Sequence, residues 1–208
     1  WDARISYREV QKNYNAAVGF TPRTGFRRVN PALDYSPRPS NSRLVRRYSF
    51  GVSVNQQMDT ADNSLLNRDW DFRVFQMDLQ TQDTFQIHVL PTYERLDRDF
   101  DISTGITLPK GNTYSATRYQ FQAQTADRRV VAVRPTVELG DFYSGTRRRL
   151  ALDLTVRIRP GVIIYTTGEW NHVELREGAF ETRLYRIVPE LQFSPWISWV
   201  NNIQYDTQ

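Results

Sequence analysis

The residue types that most often carry out catalysis are sparse in this sequence. It has only two histidines, His88 and His172, which stand far apart, and it has no cysteine. A zinc site needs several converging His or Cys ligands, and a serine nucleophile needs an oriented base beside it. The Gly-x-Ser-x-Gly turn that presents such a serine in one large class of hydrolases does not occur. The sequence therefore predicts no enzyme of these classes and indicates no cofactor or metal.

One acidic segment has the beginning of a calcium-binding pattern. Asp97, Asp99 and Asp101 alternate as the first ligands of an EF-hand loop do. However, Ile102 stands where that loop needs glycine, and Leu108 stands where it needs a bidentate acid. We expect a solvated acidic loop here rather than a calcium site.

Two pairs of acids have the residue types that glycosidases use. Those enzymes place two carboxyl groups about 5–10 Å apart around the scissile bond. Glu138 with Asp141, or Glu169 with Glu174, could be proposed as such pairs. We expect acids in these segments to pair with nearby arginines instead, so a glycan-active hydrolase is a weaker alternative than a non-enzymatic protein.

The positive charge of the chain is carried almost entirely by arginine. Lys12 and Lys110 are the only lysines, and the net charge is +4. Arginine runs at 27–28, 46–47, 128–129 and 147–149 are scattered over predicted turns and strand ends, and no nucleic-acid-binding motif accompanies them. We therefore expect no nucleic-acid partner, and we expect these arginines to meet lipid phosphates or carboxylates.

Residues 11–42 interrupt the regular patterning and are interpreted as a long ordered loop and a candidate element of a barrel lumen. A disordered linker would be poor in bulky groups, whereas this segment carries aromatic anchors, prolines and several arginines. Buried arginines would need acidic partners, for which Glu138, Asp153 and Glu174 are candidates. The residues expected to form the ordered element are Phe20, Pro22, Arg23, Phe26, Arg27 and Arg28.

The elements that position these groups are strands, because apolar and polar residues alternate along most of the chain. In residues 150–159 every even position is Leu, Val or Ile, and every odd position is Ala, Asp, Thr or Arg. Alternation of this kind is typical of a strand with two unlike faces. It predicts about ten strands, at roughly 1–10, 43–58, 66–80, 83–96, 113–126, 129–142, 147–159, 161–175, 180–192 and 196–206.

The predicted strands are long, and tight turns join them. Soluble sheets have strands of about 5–6 residues, whereas a strand that crosses a bilayer at a tilt needs about 9–11. Consecutive long strands joined by turns form an up-and-down meander, the connectivity of membrane barrels. The alternation also changes phase between Val74 and Phe75, which predicts a bulge.

Alternation alone fits two kinds of protein. In a soluble β-sandwich the apolar face lines a core, whereas in a membrane barrel the apolar face meets lipid and the polar face lines a lumen. Three features favour the barrel: the strand lengths, aromatic residues near predicted strand ends, and charged groups such as Arg73, Arg134 and Asp153 in mid-strand. Large charged groups pair well across a wet lumen. A soluble carbohydrate-binding sandwich with exposed aromatic residues remains the alternative.

A resemblance supports the barrel. Residues Val18–Arg28 resemble the signature NPEVGFVPRxDFRR of a family of bacterial outer-membrane proteins of unknown function, although Asn15-Ala16-Ala17 stands where that family has Asn-Pro-Glu. The resemblance implies a C-terminal β-barrel in the outer membrane and, in the longer chain, an N-terminal carbohydrate-binding-like module. Further similar segments lie at 93–102, 105–114, 140–145 and 193–206.

The sequence thus predicts an all-β, antiparallel up-and-down meander over residues 1–208, as a single transmembrane β-barrel domain or a fragment of one. Both termini fall inside alternating segments, so we expect a piece of a longer chain. The expected role is a non-enzymatic pore, glycan-uptake component or surface receptor of the Gram-negative outer membrane. Its expected partners are outer-membrane lipid and a glycan or other small ligand.

Overall fold

The computed structural model describes residues 1–19, 21 and 23–207, and within these ranges the chain is built from strands. No helix of the described residues is long and apolar enough to cross a membrane. The strands are β1 (Asp2–Val10), β2 (Phe26–Tyr35), β3 (Val45–Asp59), β4 (Leu65–Leu79), β5 (Thr84–Arg95), β6 (Phe100–Ser103), β7 (Ile106–Leu108), β8 (Thr113–Gln124), β9 (Val131–Phe142), β10 (Gly145–Arg159), β11 (Val162–Leu175), β12 (Gly178–Ser194), β13 (Ile197–Val200) and β14 (Ile203–Asp206).

Twelve of the strands form one antiparallel sheet in which neighbours in sequence are neighbours in space. The order is β1-β2-β3-β4-β5-β8-β9-β10-β11-β12-β13, with β14 also beside β12, and the hairpin β6–β7 stands apart. The predicted all-β antiparallel meander is therefore confirmed. The described sheet is not closed, because β1 forms one edge and β13 and β14 form the other.

Strand β2 corrects the interpretation of residues 11–42 as one long loop. Phe26–Tyr35 pairs with β1 along its whole length, and Pro31 faces Ile5. Pro31 lacks an N–H, and the ladder between β2 and β3 is correspondingly interrupted at Asn30 and Pro31. Pro31 and the clustered arginines obscured the alternation of apolar and polar residues in the sequence of β2.

Two further details of the sheet bear on the prediction. The bulge predicted between Val74 and Phe75 is confirmed by a register shift between Arg73 and Phe75 in the pairing of β4 with β5. The predicted strand at 196–206 is instead two short strands in line, β13 and β14, which both pair with β12 and are separated at Asn201–Asn202.

The two faces of the sheet differ in how far their side chains are buried. The face that carries Asp153, Glu138 and Arg149, here called the polar face, contains all of the buried polar residues in the described part of the chain: Ser49, Asp78, Thr136 and Glu138. The other face, here called the apolar face, leaves Leu150 46% and Leu152 47% exposed. The charged side is thus the interior.

The polar face is concave. Arg4 of β1 and Arg118 of β8 line one cavity, although four strands lie between them in the sheet. Strands are spaced about 4.8 Å apart, so in a flat sheet these backbones would be separated by roughly 24 Å. The sheet must therefore curve strongly, so that side chains of distant strands line the same cavity.

The two ends of the strands carry different connections. The long-loop end has segments 11–25, 60–64, 96–112, 143–144 and 176–177, and the short-loop end has segments 36–44, 80–83, 125–130, 160–161 and 195–196.

The hairpin β6–β7 lies over the polar face at the long-loop end. Leu108 is fully buried there, and Ile106 comes within 2.9 Å of where a side chain on Gly178 would begin. Phe100 packs against Tyr143, with ring centroids 6.0 Å apart. The hairpin therefore reaches from the end of β5 to the beginning of β12 and partly covers the concave space.

Candidate functional site

The polar face is the candidate site, and its centre is a carboxylate held between two arginines. Glu138 on β9 is 5% exposed. Its Oε1 forms an ion pair with Arg118 Nε of β8 at 3.2 Å and accepts a hydrogen bond from Arg147 of β10. A buried carboxylate is costly unless it is paired, so alternation along three neighbouring strands supplies the partners this acid needs.

A second network extends this cluster towards β12. Arg149 Nη2 donates to Glu169 Oε2 at 2.7 Å, and Asn171 Nδ2 donates to Glu169 Oε1 at 2.8 Å. Asn171 also donates to the hydroxyl of Thr182 at 3.2 Å. The acids of β10 and β11 on this face are therefore used to bind neighbouring strands.

At the other edge, a glycine allows an ion pair to cross an entire strand. Asp34 of β2 and Arg73 of β4 are hydrogen-bonded, and Gly51 of β3 lies between them. A Cβ at residue 51 would lie 2.7 Å from Arg73 Nη2. Asp34 also accepts from Arg4 of β1 at 3.3 Å, so one carboxylate connects three strands.

A row of amide groups lines a cavity on the polar face. Asn30 Nδ2 donates to Asn55 Oδ1 at 3.0 Å, and Asn55 Nδ2 donates to Asp69 Oδ2 at 3.3 Å. With Arg4 and Arg118, these groups line a cavity of about 480 Å³. Amide, carboxylate and guanidinium groups on one concave surface can bind the hydroxyl groups of a polar solute.

The residues predicted to form the ordered element are only partly described. Phe20 and Pro22 lie outside the described residues. Arg23 forms an ion pair with Asp97 at 2.9 Å, which joins the segment after β1 to the segment after β5. These side chains are 26% and 45% exposed, so the penalty of a buried pair does not apply, and such pairs contribute about 0–1 kcal/mol.

The other three residues of that prediction belong to β2 itself. Phe26 is buried at its first position. Arg27 lies on the apolar side of the rim, where it donates to Glu9 at 3.2 Å and to Asn63 at 2.6 Å. Arg28 lies on the polar face, directly opposite Arg8.

The acids predicted to pair with these arginines have other partners. Glu138 is bound by Arg118 and Arg147. Asp153 accepts from Thr167 at 2.8 Å, and Glu174 contacts His172 at 3.0 Å. This expectation was wrong, because the choice of partner follows from the register of neighbouring strands, and sequence alternation gives only the face.

The carboxylate pairs considered for glycoside hydrolysis are separated by the sheet. Glu138 faces the polar side, whereas Asp141 accepts the backbone N–H of Thr117 at 3.3 Å at the exposed edge of the other face. Glu169 binds Arg149 on the polar face, and Glu174 binds His172 on the other face. Neither pair can flank one bond.

The histidines and the acidic triplet have separate partners too. Asp71 contacts Nδ1 of His88 at 2.6 Å, and Glu181 contacts Nδ1 of His172 at 3.0 Å. Asp99 accepts from the backbone of Lys110 at 2.8 Å, while Asp97 binds Arg23. In the part of the chain that the structure describes, no group of three or more His, Asp or Glu side chains converges to hold a metal ion.

An aromatic cluster closes the long-loop end beside the cavity. The ring of Tyr143, in the turn between β9 and β10, packs against Tyr114 at 5.2 Å and Phe142 at 4.8 Å. Its hydroxyl donates to Glu94 at 2.9 Å. Burial, followed by the charge of Glu94, raises the pKa of Tyr143 well above its ordinary value, so the phenol stays a hydrogen-bond donor.

Several groups of the site were not anticipated from the sequence. The ion pair across Gly51, the amide row and the hairpin β6–β7 all depend on which strands become neighbours. The only sequence signals were a small residue among larger ones at Gly51 and the turn Thr104-Gly105 between two short alternating runs.

No protein-family model, no curated protein and no solved structure matches this chain.

Proposed function

We propose that this chain is a segment of a non-enzymatic transmembrane β-barrel of the Gram-negative outer membrane, and that its polar face lines an interior that binds or passes a polar solute. The observation that carries the proposal is the exposure of the two faces. A buried acid, Glu138, lies one strand away from Leu150 and Leu152, which are nearly half exposed. In a soluble sandwich the apolar face would be covered by a second sheet.

The apolar face is extensive. It continues across β2 to β12 through exposed side chains of Leu, Val, Phe and Tyr, among them Leu33, Phe50, Phe72, Tyr119, Phe121, Val131, Leu139 and Ile187. The only other described sheet is the small hairpin β6–β7, which lies on the polar side. Large contiguous apolar surfaces indicate a protein or membrane interaction, and lipid is the partner that suits a continuous surface around many strands.

The dimensions of this surface fit a bilayer. On β10 the apolar positions run from Leu150 to Ile158, which at about 3.3 Å per residue is roughly 26 Å along the strand. Barrel strands are tilted and need about 9–11 residues to cross the bilayer, and Leu150 to Ile158 is a stretch of nine.

Aromatic side chains border this band, as they do in outer-membrane barrels. Tyr7, Tyr93 and Trp170 lie towards the long-loop end of their strands. Tyr35 and Tyr48 lie at the short-loop end, where the Tyr35 ring stacks on Trp1 at 4.5 Å. Beyond Trp170, the outward positions become polar at His172, which contacts Glu181 at 3.0 Å, and this supports a boundary between lipid and water at that level.

Closure of the sheet requires more strands. Because β13 and β14 share one place beside β12, the described sheet has eleven strand positions, each antiparallel to the next. Its two edges therefore run in the same direction. Single-chain bacterial barrels are antiparallel and have an even number of strands, so closure needs an odd number of additional strands between β14 and β1.

The solute is proposed to be polar, because Asn30, Asn55, Asp69 and Arg118 line the cavity of about 480 Å³ on the polar face. The resemblance of residues Val18–Arg28 to an outer-membrane family whose members carry a carbohydrate-binding-like module makes a glycan the class that we favour.

Fractionation of cells tests the proposal. The full-length protein, expressed with a Gram-negative export signal in a Gram-negative host, should sediment with the outer membrane, resist a carbonate wash and dissolve only in detergent. Recovery in the soluble periplasmic fraction without detergent would contradict it and would favour a soluble carbohydrate-binding protein.

A further inference from the structure

Two arginines on the polar face stand against each other without an acid between them. Arg8 of β1 and Arg28 of β2 are direct partners in the register. Like charges directly opposite each other destabilise a strand pair. No described carboxylate forms an ion pair with either one, whereas Arg4, Arg73, Arg118, Arg147 and Arg149 on the same face have acidic partners. Among the described residues, Arg157 and Arg186 of this face also lack an acidic partner, but neither is the direct register partner of another arginine.

A cavity of about 730 Å³ lies beside this pair. Arg8 and Arg28 line it together with Gln57 and with Arg23, whose charge is already paired with Asp97. Arg28 Nε is buried and has no hydrogen-bond partner in the described structure, which is also true of Nε of the acid-paired Arg73 and Arg147. A buried donor without a partner is costly, so a ligand that supplies an acceptor would stabilise this strand pair.

The one acid at this cavity is already used. Glu9 accepts hydrogen bonds from Tyr7 at 2.7 Å, Gln11 at 2.6 Å and Arg27 at 3.2 Å. It therefore has little capacity left to neutralise Arg8 or Arg28. The cavity keeps an uncompensated positive charge at the mouth of the polar face, on the long-loop end.

We propose that Arg8 and Arg28, with Arg23 at the rim, form a binding site for the phosphate group of an anionic solute. Facing guanidinium groups present several N–H donors and two charges to one oxyanion, and such charge-assisted contacts are stronger than neutral ones. The volume suits a phosphate together with a sugar-sized organic group. The inference does not depend on a membrane location, since it rests only on this strand pair and its cavity.

Titration of the purified full-length protein with inorganic phosphate, at constant ionic strength held with chloride, tests the site. The double variant Arg8→Gln/Arg28→Gln should bind phosphate at least about tenfold more weakly than the wild type, which is the effect of losing a charge-assisted contact. Arg38→Gln/Arg43→Gln removes the same charge from exposed positions of segment 36–44, at the opposite end, and should leave phosphate affinity unchanged.

Stability without phosphate separates a ligand site from a structural role. If the two arginines bind an anion and do not stabilise the fold, the double variant should melt at the same temperature as the wild type or higher, because two facing positive charges are removed. Unchanged phosphate affinity in the double variant, or no phosphate binding above chloride by the wild type, would overturn the proposal.

A single variant and two further ligands make the phosphate titration more specific. Arg8→Gln alone changes an exposed residue of an edge strand, so it should fold and bind phosphate several-fold more weakly even if the double variant does not fold. Equal affinity of this single variant would also overturn the site. A sugar phosphate should bind more tightly than inorganic phosphate if the organic group occupies the cavity, and phosphate-bearing lipid vesicles should not compete with it.

Discussion

At the scale of single residues, the sequence predicts the face on which a side chain lies far better than it predicts its partner. The alternation in β10 places Asp153 on one side and Leu152 on the other, and the structure agrees. It could not predict that Arg23 binds Asp97, because the two residues belong to loops that meet only after the five strands β1 to β5 have assembled. Partners depend on register and curvature, and both are properties of the whole sheet.

Asp83 is an example of one residue that joins two turns at the short-loop end. Its carboxylate accepts from Thr81 in its own turn at 2.7 Å. It also accepts from the backbone N–H of Ala126 at 2.9 Å and from Arg129 at 2.6 Å, both in the next turn along the sheet. One acid therefore fixes the segment after β4 to the segment after β8.

Acidification should release this link. The hydrogen bonds from Thr81 and then Ala126 lower the pKa of Asp83 below its ordinary value of 3.8. A lowered pKa means that the stabilisation is present above about pH 3.8 and is lost as the pH falls through the folded-state pKa. Asp83→Asn should therefore reduce the loss of stability between about pH 6 and pH 3, measured by denaturant unfolding.

The matched control is Asp127→Asn in the neighbouring turn, where the acid accepts only from Gln124 at 3.2 Å. This change should have a smaller effect on the acid-dependent loss of stability. If the two substitutions changed the acid-dependent loss of stability equally, the hydrogen bonds of Asp83 to the neighbouring turn would not be its cause.

At the scale of elements, strands were predictable where alternation is clean and bounded by turns. The predicted and observed bounds of β3, β5 and β10 agree within a few residues. The strand β2 was missed because Pro31 and adjacent arginines break the appearance of the pattern. The hairpin β6–β7 was missed because strands of three or four residues carry too little periodicity to be recognised.

The two faces of β10 should respond differently to the same substitution. Leu154 lies on the apolar face between Val133 and Thr166, and Thr155 points to the polar face. An arginine on the lipid side near the bilayer centre costs about 2–4 kcal/mol, whereas an interior position mainly changes selectivity. Leu154→Arg should therefore lower the folding yield in lipid vesicles strongly, and Thr155→Arg only slightly.

The folded fraction of these two variants can be measured by protease protection after mixing the denatured full-length protein with vesicles. Thr155→Arg serves as the control for an added charge at an adjacent position. Equal yields would mean that the two faces do not meet different solvents.

At the scale of the whole molecule, the described sheet buries polar side chains and exposes apolar ones, and its edges β1 and β13–β14 are not paired with each other. Glu138, Asp78 and Thr136 are buried, while apolar side chains are exposed on most strands of the sheet. The sequence could predict this two-faced meander, because every long strand repeats the same alternation. It could not predict the curvature of the sheet or the register of its strands. In the barrel that we propose, an odd number of further strands would have to pair with β1 and β14.

The central claim is that the apolar face meets lipid and the polar face meets water. The chain has no native cysteine, so single cysteines at successive positions of 150–157 can each be labelled with a nitroxide in the full-length protein, reconstituted into vesicles. The account predicts that labels at the even positions collide with oxygen dissolved in lipid, and that labels at the odd positions collide with an aqueous nickel reagent. Even positions shielded from both reagents would show a dry protein core instead, and would contradict the account.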